Sequence, residues 1–179
     1  MDFFFSFNNN FDVCLEDEFV KLIPLQQKHF HDLFFVASDK RIWEQHPNPN
    51  RYQQADFEVF FKGAIASDNA FLIIEKATNT VMGCSRFYGY DATAKSVFIG
   101  YTFLGRTFWG REFNQKVKHL MMQHAFNKVD KILFHVGSYN VRSQIAMERL
   151  GAQKIGEELV EYFGEKPKMN FVYVVLKPE

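Results

Sequence analysis

The sequence predicts a single α/β domain of the α+β type, with a mixed, mostly antiparallel sheet of about six to seven strands flanked by four helices. Two observations carry this. Segments that alternate apolar and polar residues are interleaved with segments whose apolar residues recur every three or four positions, in the order β-α-α-β-β-β-α-β-α-β-β. The 179 residues hold no linker, internal repeat or low-complexity tract, and this length buries one core without disulfide staples.

Each element has its own signal. Glu18 to Leu25 alternates, contains β-branched residues and ends at Pro24-Leu25, as a strand does. Gln27 to Ser38 sets Phe30, Leu33, Phe34 and Ala37 at helical spacing. Trp43 to Tyr52 is turn-rich, because Pro47 and Pro49 cannot sit inside a helix. Gln54 to Ala66 is a second helix with Phe57, Phe60, Phe61 and Ile65 on one side. Strands follow at Ala70 to Lys76 and Val81 to Tyr90, joined by the polar turn Thr78-Asn79-Thr80, and Lys95 to Leu104 pairs with them as a third. The long helix Phe113 to Lys128 buries Val117, Leu120, Met121 and Phe126. Lys131 to Val136 is a strand, and Val141 to Leu150 a helix capped by Gly151. Gln153 to Phe163 and Phe171 to Leu176 complete the sheet, separated by a loop from Gly164 to Lys168.

Composition narrows the function classes. Hydrophobic residues make up 47% and charged residues 23%, the balance of a water-soluble globule. Phe is over-used, with 22 copies, which predicts a ring-filled core or an aromatic-lined pocket. The formal charge is +0 with no basic block, which disfavours nucleic acid as a partner. Cys14 and Cys84 lie far apart and form no CxxC, implying neither a disulfide framework nor a zinc site, so a cytoplasmic setting is expected. No stretch approaches the roughly 20 apolar residues of a membrane span. Residues 1–15 read as an N-terminal extension to the domain. Their Phe-rich start lacks the cationic beginning of a signal peptide and reads equally as a docking segment or an extra edge strand.

The most informative stretch runs from Ile99 to Arg111 and directly into the long helix. An apolar strand, a short Gly-containing turn and a helix start aim free N–H groups at whatever lies above the strand, which is an anion site. Ile132 to Val136 followed by Asn140-Val141-Arg142-Ser143 repeats the arrangement. The six residues Trp109-Gly110-Arg111-Glu112-Phe113-Asn114, together with Asn140 to Ser143 and Ala146 to Ala152, resemble the acyl-CoA cradle of the GNAT superfamily of N-acetyltransferases, in particular its RimJ/RimL-type branch. The order of elements matches that fold from about Glu18 to the end.

The resemblance implies acetyl-CoA as cosubstrate and no metal. The cradle pattern Q/R-x-x-G-x-G/A maps onto Trp109 to Asn114, whose backbone amides would hold the pyrophosphate, and the backbone near Phe103 and Leu104 would meet the thioester. Glu112 and Asn114 stand where the pattern has Gly and Gly or Ala. A carboxylate beside a pyrophosphate is repulsive unless it points into solvent, although Glu is locally favourable in a first helical turn. Binding through backbone N–H groups tolerates both residues, and Arg106 and Arg111 could offset the charge. Asn140 is a good N-cap and by resemblance a pantetheine contact, while Ser143 would lie near the CoA sulfur. The family's acid tyrosine falls on Met147, which leaves Ser143 to stabilise the thiolate, with Tyr139 as a less well placed alternative. The glutamate that this branch often carries before the Gly-Tyr pair is Phe98 here. His135, on a strand walling the cleft, and His46, in the Pro-rich loop, are substitute general bases. His119 and His124 read as surface or packing residues, and no histidine pair has metal-site spacing.

The leading expectation is an N-acetyltransferase that moves an acetyl group to a primary amine directly, in a ternary complex. The absence of a convincing Cys-His or Ser-His-Asp arrangement agrees with this. A CoA-binding or protein-interaction module with weakened chemistry is the alternative, favoured by Met147, Phe98 and Glu112 and opposed by Gly110, Asn140 and Ser143. An enzyme for a longer acyl-CoA is a third reading. The acceptor, a protein N-terminus or a small amine such as a polyamine or amino sugar, would bind between Trp43 to Tyr52 and Glu157 to Pro167. Their acids Glu44, Glu157, Glu158, Glu161 and Glu165 could attract it. A homodimer is left open.

Overall fold

Eight strands form one open sheet in a computed structural model that describes residues 13–162 and 166–178. The Phe-rich start and the loop residues Phe163, Gly164 and Glu165 lie outside the described residues. The order across the sheet is β1 (Leu15–Glu16), β2 (Val20–Pro24), β3 (Ala70–Glu75), β4 (Thr80–Asp91), β5 (Ser96–Leu104), β6 (Lys131–Gly137), β8 (Lys168–Leu176) and β7 (Gln153–Val160). Every neighbouring pair is antiparallel except β5 and β6. Four α-helices flank it: α1 (Phe30–Ala37), α2 (Gln54–Ala66), α3 (Phe113–Ala125) and α4 (Val141–Arg149).

The sequence reading differs from this mainly at element ends. β1 is an eighth strand, paired by Leu15↔Leu22, and two residues are too few to show alternation. The first helix opens as a 3-10 turn at Gln27–His29, where the Gln26 N–H donates to His29 Nδ1 at 3.1 Å. β8 starts at Lys168 rather than Phe171, because Val160↔Lys168 and Leu159↔Met169 extend the ladder. No helix among the described residues is long and apolar enough to cross a membrane.

Alternation along the strands builds two cores, one on each face. Phe71 and Ile73 of β3 join Val117, Met121 and Ala125 of α3, while the intervening Leu72 joins Leu33 of α1 and Phe57, Phe60 and Phe61 of α2. Many of the phenylalanines are core, in ring contacts such as Phe30–Phe61 at 5.1 Å and Trp43–Phe103 at 4.9 Å.

β5 breaks the alternation. Val97 and Ile99 face α3, but Phe103 faces α2 and Leu104 returns to the α3 side. Between the pairs Arg86↔Gly100 and Cys84↔Phe103, β5 has Tyr101 and Thr102 opposite the single residue Ser85. This is a β-bulge, with Tyr101 at φ +52°, and it flips the facing of everything after it. Arg86 clamps the bulge, its guanidinium 3.4 Å from the Tyr101 ring centroid and donating to the Gly63 carbonyl at 2.6 Å.

The parallel pair is short. β5 and β6 are joined only from Ser96↔Lys131 to Phe98↔Leu133. Beyond that β5 follows β4 and β6 follows β8 to Gly137, so the two strands part at their carboxyl ends. Open α/β sheets bind ligands at such partings.

Gly83 keeps β4 close against the bulged strand: a Cβ there would sit 1.9 Å from the Phe103 carbonyl oxygen. Gly83→Ala is therefore expected to destabilise the fold by about 1–3 kcal/mol, seen as a lower urea midpoint with unchanged slope.

Candidate active site

A cleft of about 490 Å³ opens where β5 and β6 part. The starts of α3 and α4, the loop around Trp43 to Arg51, and the three strands β4, β5 and β6 line it. Trp109, Gly110, Glu112, Phe113 and Asn114 stand at one end, together with Phe103 and Leu104 of β5 and Asn140 and Ser143 of α4. Of the cradle six, Arg111 alone does not line the cleft.

At the α3 end the backbone is shaped by two left-handed residues, Gly110 at φ +72° and Glu112 at φ +62°. The first helical bond runs from the Lys116 N–H to the Glu112 carbonyl, so the amides of Phe113, Asn114 and Gln115 precede the ladder and point out of the helix start. Trp109 is fixed by its indole N–H, which donates to the Leu104 carbonyl at 2.9 Å. Across the mouth, the Arg142 guanidinium of α4 lies 4.1 Å from the Trp109 ring centroid. The arginines lining the cleft are Arg142 and Arg149 beside Trp109 and the α4 end, and Arg51, which lies over the Phe60 ring at 4.6 Å. Arg106 pairs with Asp39 and Arg111 with Glu75 at 3.6 Å, so both are committed to carboxylates outside the cleft.

The α4 start follows the sequence reading. Asn140 Oδ1 accepts from the Ser143 N–H at 3.1 Å, and the Arg142 N–H donates to Gln45 Oε1 at 3.1 Å. Ser143 lines the cleft, as does the buried Met147 one turn further on. Tyr139 is 90% exposed and does not line it.

At the opposite end His135 sits in a hydrogen-bonded chain. Its Nε2 is bonded to the Glu158 carboxylate and its Nδ1 to the Tyr88 hydroxyl at 2.9 Å. A carboxylate only accepts, so Nε2 carries the proton and Nδ1 accepts from Tyr88. Phe98 stacks on the His135 ring at 4.2 Å. Burial lowers the His135 pKa, opposed by its bond to Glu158, and burial raises that of Tyr88 well above the ordinary phenol value. Gly100 makes room for Tyr88, since a Cβ there would meet its ring at 2.8 Å. His46 also lines the cleft, but its Nδ1 accepts from the Asn48 N–H, and burial with Arg51 nearby holds its pKa well below the ordinary value. Of the expected acids, Glu158 reaches the site through His135, Glu157 pairs with Lys154, and Glu44 and Glu161 are exposed.

Sequence reasoning missed Lys118. It lies on the apolar face of α3 with Met121, Met122 and Ala125, a position whose spacing already marks it as buried. Its Nζ donates to Thr102 Oγ1 at 2.5 Å, and Thr102 in turn contacts Ser85 Oγ at 2.7 Å. Burial pushes the Lys118 amine down to about 7. Among the described residues no group of three or more His, Cys, Asp or Glu could hold a metal.

The family model described as "Acetyltransferase (GNAT) domain" matches residues 20–153, and the chain belongs to this family. Solved structures agree with it. A GCN5-related N-acetyltransferase from Brucella melitensis is 23% identical over 92% of this chain and 78% of its own, with a TM-score of 0.78. RimL, a ribosomal L7/L12 α-N-protein acetyltransferase in complex with coenzyme A, is 17% identical over 92% of this chain and 98% of its own, with a TM-score of 0.71. The microcin C7 self-immunity acetyltransferase MccE, in complex with acetyl-CoA and AMP, is 17% identical over 90% of this chain and 94% of its own, also at 0.71. At these identities the likeness is one of fold. No curated protein matches the sequence.

Two outcomes follow from the backbone and the buried amine. Glu112→Gly should raise stability by about 0.5–1 kcal/mol in thermal melts, because glycine adopts the left-handed conformation without a Cβ clash, a gain reduced by its freer unfolded chain. The folded protein releases the Lys118 proton near pH 7, whereas an unfolded lysine keeps it to about pH 10.4. The unfolded chain thus binds more protons in that window, and stability rises with pH across it. The urea midpoint of the wild type relative to Lys118→Met should therefore increase from about pH 7 to about pH 9.5.

Proposed function

We propose that this chain is an acetyl-CoA-dependent N-acetyltransferase that moves the acetyl group to a primary amine by direct transfer within a ternary complex. The observation that carries this reading is one cleft with an amide-lined helix start at one end and a hydrogen-bonded Tyr88–His135–Glu158 chain at the other. The residues present suit the cosubstrate. Backbone groups of β5 beyond Phe98 have no β6 partner and would pair with the amides of the pantetheine arm. The α3 amides with Arg142 and Arg149 would hold the phosphates, and Asn140 and Ser143 would flank the arm.

Acetyl-CoA supplies an activated acetyl thioester, so the chain's task is to orient an amine, remove its proton and stabilise charge. An ammonium acceptor must lose a proton before it attacks. Tyr88 would take that proton at its hydroxyl while passing its own to His135 Nδ1, and the resulting imidazolium is stabilised by Glu158. The half-exposed Glu158 side chain connects this chain to solvent. Phe98 takes a different part from a base: it holds the imidazole in plane by stacking. Ser143 lines the α4 wall of the cleft, and its hydroxyl would donate toward the sulfur. A protein N-terminus or a small amine both present the group this arrangement handles, and RimL supports the protein class.

Calorimetry with acetyl-CoA tests the reading. Binding should stabilise the fold by about 2.7 kcal/mol at a hundredfold excess over Kd, and no response to millimolar acetyl-CoA or CoA would sink it. An amine screen that monitors free thiol then identifies the acceptor. With that acceptor, Tyr88→Phe should lower kcat by about a hundredfold or more and leave acetyl-CoA affinity unchanged, because the ring stays stacked and only the proton path is cut.

A further inference from the structure

The geometry points to Lys118 as the cation that stabilises the departing CoA thiolate, its ε-amino group entering the floor of the cleft where β5 and β6 part. This rests on the acetyl-CoA reading above. Lys118 reaches both sides of the parting: its Nζ donates to Thr102 of β5 and lies 5.7 Å from the ring centroid of Phe134 on β6. Thr102 is the neighbour of Phe103, whose backbone is the expected seat of the thioester. Ser143 and Met147 face the same space from the α4 wall, and Met147 supplies no charge and no proton.

Lys118 is 4% exposed, and among the described residues it makes no ion pair. An ammonium offers three donors, of which Thr102 takes one. A buried cation without a counter-charge is costly, and an opposite charge arises beside it as the sulfur takes electrons. The other charged or titratable groups around it supply no counter-charge: Arg51, from the loop before α2, lies over the Phe60 ring, and Arg86 of β4 is bonded to the Gly63 carbonyl and packed on Tyr101. The Cys84 thiol of β4 is neutral, pushed up to about 12 by burial. His135 of β6 is bonded to Tyr88 and Glu158, and Arg142 of α4 is stacked on Trp109. Arg149 and Glu112 are exposed at the cleft mouth. With its pKa near 7, Lys118 is partly charged in the free protein, and a neighbouring thiolate favours the charged form.

The step balances. The acceptor nitrogen forms its bond to the acetyl carbon, the carbon–sulfur bond breaks, and the electron pair goes to sulfur against the Lys118 ammonium. Sulfur takes a proton from Lys118 as CoA leaves, and the lysine regains one from solvent. The acceptor ammonium sheds one proton through Tyr88 and His135 before attack; that proton passes on to solvent, and the second, released from nitrogen as the amide forms, leaves by the same reset route.

CoA itself is the probe, so no acceptor is needed. The ultraviolet thiolate band of CoA bound to excess protein is titrated against pH, with the desulfo-CoA complex subtracted to cancel the protein's own thiols. Bound CoA should ionise at least about one pH unit below the free thiol value of about 8.5, giving roughly tenfold more thiolate at neutral pH. Lys118→Met should return the midpoint to the free value or above, while desulfo-CoA binds both proteins within about twofold by calorimetry. A purely structural bond to Thr102 would leave the thiol midpoint where it is in free CoA. An unshifted midpoint in the wild type, or the same shift in Lys118→Met, overturns the inference while desulfo-CoA binding keeps the acetyl-CoA reading intact. Failure of the wild type to bind desulfo-CoA overturns both. If Lys118→Met does not fold, the wild-type comparison with free CoA decides alone.

Discussion

Everything in this molecule's chemistry depends on two parallel strands that stop pairing. β5 and β6 share a ladder for three residues and then separate, each held by its other neighbour. The bulge at Tyr101 and Thr102, clamped by Arg86, turns the free part of β5 and aims Phe103 at the α2 side. Separation leaves backbone donors and acceptors facing a cleft, and such groups must find water or a ligand. A ligand with amide groups along its length can satisfy them in register, as a further strand would.

The cleft is graded along its length. Helix amides and arginine side chains sit at the mouth, a buried amine at the floor, and a phenol–imidazole–carboxylate chain at the far end. In the mechanism proposed above, this order separates two opposing proton requirements, removal from an attacking amine and stabilisation of negative sulfur, at different parts of one pocket. Phe98 is an aromatic wall that holds the imidazole by stacking and has no group to carry a proton.

Much of this was legible in the sequence. Asn140 caps α4 because a short amide side chain after a strand and before a helical pattern has few better uses, and the helix start at Phe113 was marked by the periodicity that follows it. What escaped was relational. Arg106 and Arg111 looked available for phosphate, yet Asp39 and Glu75, distant in sequence, take them. His135 was visible as a strand histidine, but its partners come from β4 and β7, a pairing that only strand order reveals. Tyr139 stands next to the Asn140 cap and is exposed to solvent, because position beside a cap does not fix direction. Lys118 carried a signal, a charge on the apolar face of α3, whose meaning emerged only when Thr102 and Phe134 were seen beside it.

Recognition at the α3 start runs through main-chain amides, and Glu112 shows how forgiving this is, since a glutamate holds the left-handed turn that glycine would take most easily. Amides are common to all non-proline side chains, so mutation can rewrite this loop while the cradle's shape persists. Lineages built on such a cradle can diverge until pairwise identity falls to the level of 16% or 17% and still superimpose over most of their length. A cradle built from main-chain groups thereby places the weakest demand on side-chain chemistry, and the stricter demand falls on the far end of the cleft, where the proposed proton path runs through side chains.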